Sequence, residues 1–291
     1  MINFKGISFI LFCTLSFFVV KGQVQIGEWR AHLHYKRAFK TVEAGDFIYC
    51  ATENGLFHIH KDDNTMTLLS KVDGLSGVEV VNIGYDVKTE NVFVAYNNGM
   101  VDMLGINYIV PIPYIANASS IIGNKTVNNF YFDNGLAYMA TNFGVVVYDI
   151  NNREVRESYL NLDEKGNQLA INDVAVYNNR VYVSTNNGLR SGSLSDNLLD
   201  FSFWQTDITM GCDAMQVFEN KLIIHLTDNR VVEWNGADVK DYEPMAWAVV
   251  RHLELQNEKL VVTKSKNILI FNPNGKVDSV ESGAPAHGLL D

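Results

Sequence analysis

Cysteine and proline are nearly missing from this chain, with three and five in 291 residues. So few cysteines cannot build the disulfide framework of a small secreted scaffold, and at this length an apolar core carries the fold alone. With so little proline and no low-complexity tract or charge block, nothing marks a linker, so the chain beyond its leader reads as one domain. Cations are scarce as well. Once Lys5 and Lys21 are set aside with the leader, the remaining 23 less two Lys+Arg face 33 Asp+Glu, a formal charge of −12. Nucleic acid and anionic membranes both require clustered cations, so neither is an expected partner. Past residue 22 no stretch is apolar over the length of a bilayer crossing, so the mature chain is not expected to insert into a membrane. A Gly-x-Ser-x-Gly nucleophile elbow and a phosphate-binding glycine loop are also missing.

Residues 1–22 form the one clear leader. Lys5 precedes an apolar run from Ile7 to Val20 that stops at Lys21, too short to span comfortably. Val20 and Gly22 are small enough for positions −3 and −1 of a cleavage site, so residues 1–22 read as a signal peptide and the mature chain starts at Gln23. The residues before Cys13 lack the small side chain of a lipoprotein signal. Export through the inner membrane follows, to the periplasm, the outer membrane or the cell surface.

What the sequence has in abundance is repetition. Six segments share a strand, a tight turn and a second strand: DFIYCATENGLFHIH (46–60), ENVFVAYNNGMVDML (90–104), GLAYMATNFGVVVYD (135–149), NRVYVSTNNGLRSGS (179–193), NKLIIHLTDNRVVEW (220–234) and EKLVVTKSKNILIFN (258–272). The turn glycines Gly55, Gly99, Gly144 and Gly188 fall 44, 45 and 44 residues apart. A strand-only period of this length belongs to β-propellers. In the third unit four strands are legible: A at Val127–Asp133, B at Leu136–Thr141, C at Val145–Ile150 and D at Glu154–Leu160. Asn-Gly and Asn-Asn pairs tolerate the positive φ of two-residue hairpin turns. Strand B is apolar on both faces, as a strand buried between neighbouring blades should be. The fold expected is therefore all-β, a propeller of four-stranded antiparallel blades over residues 23–291, with six recognisable repeats and seven once completed.

The end of the chain leaves two readings open. Gly288-Leu289-Leu290-Asp291 resembles the Gly74-Leu75 step that precedes a strand A. Residues 23–36 complete the ring, or the sequence is part of a longer protein; the latter is the expectation, because an unclosed propeller exposes sheet edges.

Candidate sites are thin. His32/His34 and His58/His60 each place two rings on one strand face, but no third ligand sits at metal spacing. Asp62-Asp63-Asn64 lacks the glycine and the glutamate of a calcium loop and falls where a C–D turn belongs. No metal or cofactor is expected. Cys50 and Cys212 read as small core residues, in units too far apart for a disulfide. The Asn117-Ala-Ser119, Asn124-Lys-Thr126 and Asp278-Ser279-Val280 triplets match short glycosylation patterns that occur often by chance. Aromatics in or near outer strands, Tyr108, Tyr114, Trp204 and Tyr242, with Trp247 in a connection, are the binding candidates, against inter-blade packing as the plainer role.

The opening of the mature chain, Gly27-Glu28-Trp29-Arg30-Ala31-His32-Leu33-His34-Tyr35, followed by blades of the IYCATENGLF type, resembles the N-terminal propeller of the PorZ-like family, with Trp29, His32 and Tyr35 carrying the likeness. Those proteins are accessory components of the type IX secretion system of Bacteroidetes, with two propellers and a C-terminal sorting domain; the likeness covers only the first propeller. It implies a non-catalytic surface scaffold or binding module that works with the secretion sortase and helps present anionic lipopolysaccharide to it. The alternative is a periplasmic sensor propeller of a hybrid two-component system, which uses similar Asn-Gly-Leu repeats.

Overall fold

The computed structural model describes residues 33, 35, 37–242, 250–265 and 267–281. The signal-peptide reading, Trp29, His32, His34 and Trp247 lie outside them. The chain divides into Met1–His32 and Leu33–Asp291, and only the second unit contains described residues.

That unit is built from six sheets of four antiparallel strands, each laid down in sequence order. Blade 1 holds β1 (Ala38–Ala44), β2 (Phe47–Thr52), β3 (Gly55–His60) and β4 (Met66–Leu69); blade 2 holds β5 (Val80–Asp86), β6 (Asn91–Tyr96), β7 (Val101–Gly105) and β8 (Tyr108–Ile112). A single helical turn, α1 (Tyr114–Asn117), leads to blade 3 with β9 (Val127–Asp133), β10 (Leu136–Thr141), β11 (Gly144–Asp149) and β12 (Glu154–Leu160). Blade 4 follows as β13 (Asp173–Tyr177), β14 (Arg180–Thr185), β15 (Gly188–Ser193) and β16 (Gln205–Ile208). Blade 5 comprises β17 (Cys212–Phe218), β18 (Lys221–Leu226), β19 (Val231–Trp234) and β20 (Val239–Asp241). Blade 6 comprises β21 (Val250–Gln256), β22 (Lys259–Lys264), β23 (Asn267–Phe271) and β24 (Val277–Glu281).

The first strands of successive blades touch one another, so they line the axis. Second strands are buried almost throughout, β6 at every residue, while β20 is exposed at all three and β24 at four of its five. This gradient is what the composition dictates, because second strands are apolar on both faces. Val92 and Val94 of β6 pack towards blade 1 and Phe93 and Ala95 towards blade 3, while Tyr138 and Ala140 of β10 pack towards blade 4 and Ala137 and Met139 towards blade 2. Five apolar clusters result, joining blade 1 to 2, 2 to 3, 3 to 4, 4 to 5 and 5 to 6. Each fully buried Leu, Ile or Val contributes roughly 1.5–3 kcal/mol.

Blades 6 and 1 meet differently. Gln256 Nε2 donates to the Thr41 carbonyl at 3.4 Å, and Asn257 Nδ2 donates to Glu43, so β21 reaches β1 with no blade between them. The described residues thus form the six four-stranded blades that the six repeats announce. The repeat period fixes the content of a blade but not the angle between blades, and side-chain reach closes this gap. Among the described residues no buried apolar cluster joins these two blades.

The hairpin turns explain the repeated motif. First-to-second strand turns carry consecutive positive φ at Asn134-Gly135, Asn178-Asn179, Glu219-Asn220 and Asn257-Glu258, as two-residue type I′ turns require. At the next turn a threonine ends the second strand and its hydroxyl donates to the carbonyl of the glycine three residues on: Thr52 to Gly55 at 3.0 Å, Thr141 to Gly144 at 2.8 Å, Thr185 to Gly188 at 2.9 Å. Gly144 and Gly188 have φ of 138° and 149°, and a Cβ there meets the Tyr159 or Ile208 carbonyl oxygen at 2.1 Å. Gly55 is different. Its φ is not in the left-handed region; a Cβ there meets the Tyr35 ring at 2.6 Å. Tyr35 is thus placed against this turn, and its hydroxyl donates to the Leu69 carbonyl at 3.1 Å.

Blade 2 replaces that threonine by Tyr96 and adds a buried anion. Asp102 is fully buried and accepts from the Ser76 N–H at 2.7 Å, the Ser76 hydroxyl and the Tyr96 hydroxyl at 2.7 Å. Burial, and then the Asp102 charge, push the Tyr96 pKa up, so the phenol remains a donor. Asp102→Ala strands three donors and is expected to cost roughly 3 kcal/mol, whereas Tyr96→Phe removes one bond and costs about 1. Urea midpoints of the two variants check this: equal losses would refute the carboxylate as the hub.

Candidate functional site at the propeller axis

The axis is where side chains from all six blades converge, and here a polar belt has been built. β-Bulges fall in β1, β5, β17 and β21 immediately before Lys40, Asn82, Ala214 and His252, and in β9 before Asn129. A bulge re-aims the residue after it. Lys40 Nζ donates to Asn82 Oδ1 at 2.9 Å and to Asn129 Oδ1 at 3.0 Å, tying blades 1, 2 and 3 together. Asn129 Nδ2 donates to Asp173 Oδ1 at 2.8 Å, and the Met215 N–H reaches Asp173 Oδ2 at 2.8 Å, extending the chain to blades 4 and 5.

Asp173 is 2% exposed. Burial pushes its carboxyl up to about 6, against the pull of the Met215, Asn129 and Val174 donors and the Lys40 charge. Glu254 completes the belt in blade 6. Burial pushes its carboxyl up, but the hydrogen bond from His252 and the Lys40 and His252 charges outweigh that and hold it low. The arrangement is one cation hydrogen-bonded to two amides and acting through its charge on a buried and a partly buried carboxylate, a lock whose members hold one another in place.

Sequence reasoning missed the belt and named the rim. Tyr108 is 41% exposed; its hydroxyl donates to Asn91 Oδ1 at 2.7 Å, and the Arg153 guanidinium lies 5.1 Å over its ring. Tyr114, 44% exposed on α1, has its hydroxyl 3.4 Å from Ser158 Oγ. Both remain on the outer surface of blades 2 and 3. Trp204 and Tyr242 do not: they are 4% and 7% exposed. Trp204 packs on Tyr159 with centroids 5.7 Å apart and donates Nε1–H to the Leu198 carbonyl, while Tyr242 packs on Phe271 at 6.2 Å. These two are corrected to inter-blade packing, because the turn before β16 and the residue after β20 fold inward.

His58 and His60 flank the Phe47 ring at 4.7 and 5.1 Å, and burial lowers the His58 pKa, so they pack as aromatics. Among the described residues no group of three His, Cys, Asp or Glu is placed to hold a metal. Cys50 and Cys212 are free and buried, and burial pushes their thiols up to about 11 and about 12, with Asp213 adding to the second. Neither is a thiolate at neutral pH. Among the described residues no helix is long and apolar enough to cross a membrane.

Comparison with known proteins places these observations. The family model for the N-terminal β-propeller domain of PorZ, of the type IX secretion system, matches residues 48–205. Of solved structures, PorZ of Porphyromonas gingivalis, described as an essential bacterial surface component of that system, is 20% identical with a TM-score of 0.73. The match covers 84% of this chain and 33% of that one, so the chain spans about a third of the protein it resembles. An extracellular domain described as that of a hybrid two-component system from B. thetaiotaomicron is 13% identical, with a TM-score of 0.63, covering 87% of this chain and 36% of that one. A computationally designed protein is 12% identical with a TM-score of 0.54, over 87% of this chain and 90% of its own. At these identities the structural likenesses are of fold. No curated protein sequence matches the chain.

Proposed function

The chain belongs to the PorZ N-terminal β-propeller family, and from that premise we propose that it is a non-catalytic scaffold or binding module of type IX secretion, acting outside the cytoplasm. The family match over residues 48–205 carries this reading. Its mechanism is docking: the blades form a rigid ring, and loops and rim residues such as Tyr108 and Tyr114 offer surfaces to a partner. The sortase complex and anionic lipopolysaccharide are the partners proposed. The buried thiols and the mutually satisfied belt fit a rigid support better than a reacting centre.

A strain lacking the protein is expected to hold type IX cargo in the periplasm, and the purified chain to retain anionic lipopolysaccharide on a column. Unchanged surface attachment of cargo in that strain would overturn the proposal. The likeness to the extracellular domain of a two-component system supports a second reading, oligosaccharide sensing. That reading predicts loss of a transcriptional response to a glycan, with cargo attachment intact.

A further inference from the structure

Between blades 3 and 4 a cleft of about 420 Å³ opens beside the loop at residues 161–172, lined by Lys165, Asn187, Arg190, Thr206 and Thr209 among others. A second hollow of about 320 Å³ shares Glu164, Arg190 and Thr206 with it and adds the ring of Phe201. Arg190 stands where the two join.

Arg190 is only 7% exposed, and its charge is poorly answered. Nη1 donates to Thr206 Oγ1 at 2.9 Å and Nη2 to the Trp204 carbonyl at 3.0 Å, both neutral acceptors. Nε is buried with no hydrogen-bond partner. The carboxylate paired with it, Glu164, lies at 3.7 Å, beyond hydrogen-bond distance, on a side chain 75% exposed. Thr206 instead donates its hydroxyl to Glu164 at 3.1 Å. Asp163 feels the Arg190 charge, which helps to hold its carboxyl low, but it makes no hydrogen bond to the guanidinium: its oxygens accept from the Lys165 N–H, the Asn167 N–H and Asn167 Nδ2. A buried guanidinium is best met by a close, bidentate anion, and this one has only Glu164 and Asp163 near it, neither hydrogen-bonded to it.

We propose that the cleft at Arg190 is a binding site for an oxyanion, the carboxylate or phosphate of a ligand, with Glu164 as a displaceable lid standing where that anion sits. Lys165 supplies a second cation, Thr206, Thr209 and Asn187 supply polar contacts, and the half-exposed Phe201 ring gives the rest of the ligand a face to lie on. The cleft is of ligand size. The inference stands apart from the secretion reading and does not depend on it.

Titration of the full chain with inorganic phosphate, with glucuronate and with neutral galactose, followed by calorimetry, tests it. Phosphate, glucuronate or both are expected to bind, and galactose not; which of the two binds names the source of the anion. Glu164→Gln removes the competing carboxylate from an exposed position and is expected to tighten binding at least fivefold, while Arg190→Gln abolishes it. Because Arg190→Gln also disturbs packing, the Glu164 variant decides: no binding by either anion to wild type and Glu164→Gln, or equal binding of galactose, overturns the site.

Discussion

Gly188→Ala is expected to lower the thermal midpoint by about 6–12 °C, a large loss for a single methyl group. Two costs add. The backbone at φ 149° disfavours any L side chain, and the new Cβ stands 2.1 Å from the Ile208 carbonyl oxygen in the neighbouring outer strand. That oxygen belongs to backbone paired in register, Leu189 against Ile208, so it cannot retreat without breaking the ladder. Strain and overpacking together come to roughly 3 kcal/mol, and a domain of this size loses about 2–4 °C per kcal/mol. Gly236→Ala is the control. It also has positive φ, 96°, but nothing lies within 4 Å of its Cβ, so only the strain is incurred. Calorimetry on the two variants separates the causes, and equal shifts would show that close approach plays no part.

Lys40→Met is expected to cost roughly 3–5 kcal/mol at pH 8, because it leaves buried charge unanswered. Asn82 and Asn129 lose their donor, and Asp173 and Glu254 lose the shared cation. The loss should shrink at pH 5. The Asp173 carboxyl is already raised to about 6 in the folded chain, so its contribution to stability is full below the unfolded value near 4 and fades as pH rises through 6. Without Lys40 its folded value climbs further, which deepens the penalty at pH 8 and lets protonation relieve it at pH 5. Glu254 adds a loss that is similar at both pH values, because pH 5 is still above its ordinary range. Its lowered carboxyl stabilises the fold above the ordinary glutamate range, and removing Lys40 withdraws part of that support. Thermal midpoints of wild type and variant at both pH values are the check. A difference that does not change with pH would reject an electrostatic lock.

The sequence carried the blades and concealed the belt, for physical reasons. A hairpin is local: in blade 3 the strands at Val127–Asp133, Leu136–Thr141 and Glu154–Leu160 fall where the alternation and the Asn-Gly turn place them, and only the third strand begins one residue early, at Gly144. The threonine before each turn stood in the repeats as ATENG, ATNFG and STNNG, a readable signal whose hydroxyl bond was overlooked. Lys40, Asn82, Asn129 and Asp173 do not repeat one residue type from blade to blade, and the bulges that aim the first three inward leave no trace in composition. Trp204 and Tyr242 fail for a related reason: they lie outside regular strand, where period-two alternation no longer says which side is buried.

The outer strands have one more implication, for behaviour in a crowd. Each fourth strand leaves a row of backbone groups unpaired, and most of these edges are blunted. β8 carries Pro111, β12 Glu154 and Arg156, β16 Asp207, β20 Lys240 and Asp241, and β24 Asp278 and Glu281. β4 has neither proline nor charge, and it presents Met66 and Leu68 at 58% and 45% exposure. Among the described edges, self-association at high concentration should run through blade 1, and a lysine in place of Leu68 should suppress it.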